Sequence, residues 1–232
     1  LFNTTGNNNT ASGNKALYSN TTGNNNTASG NEALLSNTTG NNNTASGNKA
    51  LLSNTTGNNN TASGNLALAS NTTGVENTAS GNKALYSNTT GDQNTASGNE
   101  ALRYNTTGYK NTASGYGALS SNTTGNNNTA SGNAALSSNT TGSNNIAIGY
   151  DAQVPSGSNQ VRIGNSSITY AGIQVAWTTT SDQRWKSDIQ NSSLGLNFIS
   201  KLRPVSYYRN NDESKKIEYG FIAQELEAAL DN

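Results

Sequence analysis

The chain has 232 residues, of which 31% are hydrophobic and 11% charged, and its formal net charge is zero. This balance gives no electrostatic reason to expect nucleic acid or an anionic membrane as a partner, and no apolar run is long enough to insert into a membrane. Cysteine and histidine are absent, which excludes disulfides, thiol catalysis and the usual zinc ligand sets, so no metal or cofactor is expected.

A short, strictly periodic repeat organises residues 1–150. The sequence Asn-Thr-Thr-Gly begins at nine positions with a constant step: Asn3, Asn20, Asn37, Asn54, Asn71, Asn88, Asn105, Asn122 and Asn139. A fixed period of this kind is typical of solenoids and arrays. The polar composition also suits a disordered tract, but disorder needs neither strict spacing nor apolar residues at the same place in every unit. We therefore predict an ordered repeat shaft over residues 1–150.

Each of the first eight units carries Thr-Ala-Ser-Gly and, downstream, Ala-Leu, as in residues 27–34, whereas the ninth reads Ile-Ala-Ile-Gly at 146–149. Seventeen residues are too few for a helix pair, and the glycine and asparagine content disfavours helix. The unit fits one coil of a parallel β-solenoid, with Thr-Thr-Gly and Ser-Gly-Asn supplying residues that tolerate positive φ at the corners. Stacked coils lie about 4.8 Å apart, so columns of asparagine and threonine are predicted to hydrogen-bond along the axis.

The apolar content of each unit predicts a thin core. We expect one chain to bury too little to offset the cost of ordering its backbone, about 1–2 kcal/mol per residue. Partner chains are therefore predicted to complete the apolar strip, most simply in a homotrimer. The residue before Ala-Leu alternates in sign over the first three units, Lys15, Glu32 and Lys49, which indicates either ion pairs between coils or a solvated face.

A connector is predicted over residues 151–180. Pro155 and the Ser-Gly-Ser sequence at 156–158 interrupt the period. Residues 159–164 and 168–177 alternate apolar and polar side chains, which predicts short strands that finish the rod.

The most specific motif is Ser-Asp-Gln-Arg-Trp-Lys-Ser-Asp-Ile at residues 181–189. Two more motifs follow it: Leu-Arg-Pro-Val with Tyr-Tyr over 202–208, and Tyr-Gly-Phe-Ile-Ala-Gln-Glu-Leu at 219–226. In this order they resemble the peptidase S74 family, the intramolecular chaperone at the C-terminus of phage tail spikes and fibres. Family members are longer, and the helical pattern from residue 222 to 230 should continue. We therefore expect residues 181–232 to be the N-terminal part of a small, incomplete α+β chaperone domain.

The resemblance implies that the domain cuts its own chain with a Ser/Lys dyad, in which Ser181 is the nucleophile and Lys186 the base. The scissile bond adjoins Ser181, whose neighbours are Thr180 and Asp182. A serine hydroxyl needs a base to take its proton, and a lysine can do so when desolvation lowers its pKa. Arg184 or a backbone N–H is the candidate for oxyanion stabilisation. The alternative is a cap that only folds and trimerises the chain.

The repeats resemble the coils of trimeric autotransporter adhesin heads, most clearly at Asn-Ile-Ala-Ile-Gly over 145–149. They resemble more closely the Asn-Thr-Ala-rich repeats of phage tail-fibre-like proteins over 3–149. Both resemblances imply a left-handed parallel β-roll in a trimer. We expect a structural and adhesive shaft on a virion tail or bacterial surface, with a host-surface glycan or receptor as partner.

Two other functions stay open. An ice-binding solenoid is one, because Thr-x-Ser recurs on every coil. A glycan-cleaving tail spike is the other, although it needs paired acids and the acidic residues of the repeats are scattered, at Glu32, Glu76, Asp92 and Glu100.

Overall fold

The computed structural model describes residues 4–154, 157–169, 171, 196–208, 217–222 and 225. Contacts divide the chain into two units, Leu1–Ile168 and Thr169–Asn232. Within the described residues, no helix has the length and apolar content needed to span a membrane.

The first unit is a parallel β-solenoid. Nine three-residue strands recur at the repeat spacing: β1 Thr10–Ser12, β2 Thr27–Ser29, β3 Thr44–Ser46, β4 Thr61–Ser63, β5 Thr78–Ser80, β6 Thr95–Ser97, β7 Thr112–Ser114, β8 Thr129–Ser131 and β9 Ile146–Ile148. Each strand pairs in parallel with the next, and equivalent residues face one another, as Thr27 faces Thr44. The predicted mainly β fold, a solenoid of 17-residue coils, is confirmed.

The strand sequence Thr-Ala-Ser follows the alternation of a β-strand. Successive side chains point to opposite faces, so the central alanine points inward while threonine and serine point to solvent. In β2–β9 the central residue is fully buried and its two neighbours are exposed.

The core of the solenoid closes within one chain. The Ala-Leu pair of every full coil is buried, and the eight leucines of these pairs have no exposed surface. Our expectation that partner chains must complete this strip is wrong for these residues. The reason is that buried asparagines fill the rest of the interior, so the leucines need no cover from outside. The homotrimer stays a prediction.

Two buried asparagine ladders run along the axis, which confirms the predicted columns. In the first, Asn37 Nδ2 donates to Asn20 Oδ1 (2.8 Å) and to the carbonyl oxygen of Gly40 (3.0 Å). In the second, Asn43 donates from its backbone N to Asn26 Oδ1 (3.0 Å) and from Nδ2 to the carbonyl oxygen of Gly57 (2.8 Å). Buried amides are costly only when they lack partners, so these ladders make a polar interior tolerable.

The threonine column is also hydrogen-bonded along the axis. Thr21 Oγ1, for example, donates to the carbonyl oxygen of Thr38 at 2.9 Å, and the same bond recurs from coil to coil.

The corners only partly follow the prediction. Glycine in Ser-Gly-Asn does adopt positive φ, 137° at Gly47, but the described glycines of Thr-Thr-Gly do not. Those positions require glycine because they leave no space for a side chain: a Cβ on Gly40 would clash with Asn37 Oδ1 and the Gly57 carbonyl oxygen. Positive φ occurs instead at non-glycine residues, such as Lys49 (57°) and the buried Leu51 (51°).

The predicted alternation of charge gives ion pairs between neighbouring coils. Glu32 lies 4.0 Å from Lys15 Nζ and 3.7 Å from Lys49 Nζ. The two lysine side chains are 55% and 42% exposed. Pairs at such exposure contribute under about 1 kcal/mol each.

The connector adds a tenth strand, β10 Val161–Ile163, which pairs in parallel with β9. This last coil is shorter than the others, since Ile146 faces Val161 on one side and Thr129 on the other. The strand predicted within 159–164 is confirmed. Of the strand predicted within 168–177, residues 168, 169 and 171 are described and are not in a strand, and the others lie outside the described residues.

The described residues of the second unit form one short helix, α1 Leu196–Lys201, and an antiparallel pair, β11 Val205–Tyr207 with β12 Glu218–Gly220. Pro204 follows α1 closely, and the residue before a proline is disfavoured in helix, so α1 ends at Lys201.

Candidate functional site

The strand face of the solenoid presents two parallel rows of hydroxyl groups. The threonine and the serine of each strand β1–β8 are exposed, and in-register pairing places each row in line along the axis. This face is regular from β1 to β8 and changes at β9, where isoleucines replace the hydroxyl side chains.

Three tyrosines replace consensus residues of the repeat within one coil, over residues 103–117. Arg103 lies over the ring of Tyr104, 4.8 Å from its centroid, and its Nη1 donates to Glu100 Oε1 at 2.8 Å. Tyr104, Tyr109 and Tyr116 are between 44% and 58% exposed, so each ring is available to solvent. This coil was not predicted as a site, although its signal is visible: these residues interrupt columns that are serine or asparagine in most other coils.

The four acidic residues of the repeats do not form a catalytic pair. Glu32 pairs with lysines, Glu100 with Arg103, and Glu76 accepts a hydrogen bond from Gln93 at 2.8 Å. Asp92 Oδ1 accepts the backbone N–H of Val75 at 2.8 Å. Each carboxylate is therefore engaged separately, and the described residues hold no group of three or more acids able to bind a metal ion.

In the second unit, an ion pair joins the end of α1 to the residues after β12. Arg203 Nε donates to Glu225 Oε2 at 3.1 Å, and Arg203 Nη2 donates to Glu225 Oε1. Hydrogen bonding by Arg203 is the main cause that lowers the pKa of Glu225, with partial desolvation opposing it and the charge of Arg203 adding to it. The same hydrogen bond raises the pKa of Arg203.

The hollow beside this pair is too small for a substrate. It is lined by Lys201, Leu202, Arg203, Phe221, Ile222 and Glu225, and has a volume of about 10 Å³, which is room for about one water molecule. This hollow therefore offers no room for a substrate, and the two charged residues beside it are engaged with each other.

The second unit exposes many large apolar side chains. Among its described residues, Tyr219 is 81% exposed, and Ile199, Tyr208, Phe221 and Ile217 are each about half exposed. These side chains are therefore available for contact with another protein.

Comparison with known families identifies the C-terminal part of the chain. Residues 181–232 match the peptidase S74 family, described as the chaperone of endosialidase. The match begins at Ser181 and covers less than a quarter of the chain, and we call these residues the S74 segment. A search of curated proteins and a search of solved structures each found no match. The segment is thus similar to an endosialidase chaperone, as the three motifs predicted.

The residues predicted for self-cleavage all lie outside the described residues. These are Ser181 and Lys186 of the dyad, the neighbours Thr180 and Asp182, and Arg184. Their roles therefore stay predictions that rest on the family motif.

Proposed function

We propose that the chain is the shaft of a homotrimeric, tail-fibre-like protein whose S74 segment gathers three chains, sets their register and then releases itself by one self-cleavage. The observation that carries the proposal is the family match that begins at Ser181, later in the chain than a solenoid of nearly identical coils.

The solenoid creates a physical need for such a chaperone. Equivalent residues recur in every coil, so a slip of one coil between two chains leaves most contacts between them unchanged. The energy gap that separates correct from slipped assemblies is then small. A C-terminal segment that associates first sets the register once, and the coils then stack from that end.

The apolar residues exposed by the second unit support the gathering step. Side chains such as Tyr219 and Phe221 would be covered when three copies associate.

The cleavage chemistry follows from the dyad. Ser181 Oγ attacks the carbonyl carbon of a peptide bond next to it, and Lys186 takes the hydroxyl proton and passes it to the leaving amine. Water then hydrolyses the ester and restores the serine. Once the segment is gone, unfolding loses the element that nucleated assembly, so the shaft persists because it unfolds slowly.

The release step is tested with Ser181→Ala, using Ser187→Ala as the matched control. On a denaturing gel we expect the alanine variant at 181 to remain full-length while the control is cut. Native mass measurement of both should give three chains. Cleavage of the Ser181→Ala chain would show that Ser181 is not the nucleophile. A single chain in the native mass measurement would refute the homotrimer.

The proposed function also includes a location for the shaft and a binding partner. A shaft of this kind belongs on a virion tail or a bacterial surface, where it presents a binding surface to a host glycan or receptor. The tyrosines of the coil at 103–117 are the candidate contact residues, since aromatic rings give a large contact area at low entropic cost.

The exposed hydroxyl rows of the strand face are the observation that favours the alternative, an ice-binding solenoid. Thermal hysteresis of the purified protein distinguishes the two, since a fibre shaft has no reason to produce it.

A further inference from the structure

One column of the solenoid varies strongly from coil to coil and is mostly apolar in its first half. It consists of the residue that follows Ala-Leu in each coil, and we call it the variable column: Tyr18, Leu35, Leu52, Ala69, Tyr86, Arg103, Ser120 and Ser137. Its members stack in line, because the residue after each one donates its backbone N–H to the next member's carbonyl oxygen. Ser36 N, for example, donates to the Leu52 oxygen at 3.1 Å.

The first five members form an apolar stripe, which we define as residues 18, 35, 52, 69 and 86. Tyr18 is 40% exposed, and Leu35, Leu52 and Tyr86 are partly exposed, while Ala69 is small and buried. Four steps of about 4.8 Å make the stripe about 19 Å long. It ends at Arg103, which folds onto Tyr104 and Glu100.

The spacing of the stripe indicates what covers it. Its side chains repeat at the spacing of stacked strands, and a second solenoid of the same chain presents side chains at that same spacing. The chain has no net charge, so two copies side by side meet no overall repulsion. A helix, with its rise of about 1.5 Å per residue, offers no such match over several rungs.

We propose that the apolar stripe is the face through which coils 1–5 of neighbouring copies pack in parallel, and that its unequal side chains report the register. This inference rests on the proposed homotrimer. In register, each side chain meets its own equivalent in the other chains. A slip of one coil sets Leu52 level with Ala69 and Ala69 level with Tyr86, so the side-chain volumes no longer match.

The stripe therefore adds register information that the identical asparagine, threonine and Ala-Leu columns cannot supply. The S74 segment brings the chain ends together, and the stripe then penalises a slipped alignment along the shaft.

The chain has no native cysteine, which allows a clean cross-linking test. Leu35→Cys places one thiol on the stripe, and Thr44→Cys places one on the exposed strand face as the matched control. Both full-length variants are oxidised, then compared by non-reducing denaturing gel and by native mass. A disulfide needs Cβ atoms about 3.5–4.5 Å apart, so it forms only where two copies meet.

We expect a covalent dimer band for Leu35→Cys and none for Thr44→Cys, with no more than two chains of each trimer able to pair. A trimer by native mass without a band specific to Leu35→Cys would overturn the stripe while leaving the proposed function intact. Equal bands in both variants would overturn it too. A single chain by native mass would overturn the proposed homotrimer itself.

Discussion

Replacing Gly98 by alanine should break the stacking of two coils, whereas the same change at Gly117 should be tolerated. Gly98 has φ of 136°, a conformation that side-chain-bearing residues rarely adopt. A Cβ there would press against the Gly115 carbonyl oxygen and lie 2.7 Å from its carbonyl carbon, closer than the 3.0 Å that real Cβ atoms keep. Gly117 also has positive φ, 62°, but a Cβ would meet nothing within 4 Å.

The expected magnitudes differ accordingly. At Gly98 the backbone conformation costs about 1–3 kcal/mol. Moving the neighbouring coil away also weakens bonds such as Gly115 N to the Ser97 oxygen (2.8 Å), each worth about 0.5–1.5 kcal/mol. We expect a loss of about 2–5 kcal/mol in total. At Gly117 the left-handed conformation costs alanine about 1–2 kcal/mol. Alanine also lowers the conformational entropy of the unfolded chain, which offsets about 0.4–1 kcal/mol of that cost. Ala134 already occupies the same column with φ of 55°.

The assay must resolve single coils, because stacked repeats need not unfold in one step. Hydrogen exchange measured by mass spectrometry, together with urea unfolding, compares wild type, Gly98→Ala and Gly117→Ala. We expect protection to fall around residues 97–115 in the first variant only. If Gly98→Ala kept wild-type protection, or if both variants behaved alike, the close stacking of these glycines would be refuted.

Two further outcomes are expected. Asn60→Ala should cost about 1–3 kcal/mol for each buried group left unpaired, since Asn60 Oδ1 accepts the Asn77 N–H (3.0 Å) and Nδ2 donates to the Gly74 oxygen (2.8 Å). The exposed Asn65→Ala should change urea stability by less than about 0.5 kcal/mol, and equal losses would contradict a buried ladder. A carboxyl whose pKa is lower in the folded chain than in the unfolded chain stabilises the fold at pH values above its unfolded pKa, which is about 4.3. That contribution is lost as the pH falls through the folded pKa. NMR titration should therefore find the Glu225 pKa below its ordinary value, and Arg203→Gln should restore it; unchanged titration would exclude the ion pair.

The sequence allowed accurate prediction wherever identical residues stack. The nine strands, the in-register pairing and the asparagine columns follow from a strict period and from strand spacing, and the structure confirms them. The sequence did not predict that one chain buries its own core, because asparagine is expected in turns and surface ladders rather than in a protein interior. Fifteen buried asparagines occupy that interior.

The sequence patterns also did not predict which residues adopt a left-handed backbone conformation. Leu85 is a buried leucine with φ of 51°, which costs about 1–2 kcal/mol in isolation. The coil holds it there because its side chain is fully buried and its N–H donates to the Ala101 oxygen at 3.0 Å. Tertiary packing overrides local preference here, and no propensity rule would have placed leucine at such a corner.

The motif that opens at Ser181 was found from the sequence because its residue types are specific to a family, and the family match begins at that residue. The hairpin of β11 and β12 was not predicted, since both strands are very short and a polar stretch of chain separates them. Short strands separated by polar residues leave little periodicity to detect.

Because every coil meets the next through the same glycines, asparagines and three-residue strand, a coil is an interchangeable module. Duplicating or deleting one whole repeat unit would keep the strand pairing of the new junction the same as in the old ones and change the length of the solenoid by about 4.8 Å. A repeat of this kind can therefore lengthen or shorten the solenoid in fixed increments without redesigning the backbone contacts between coils.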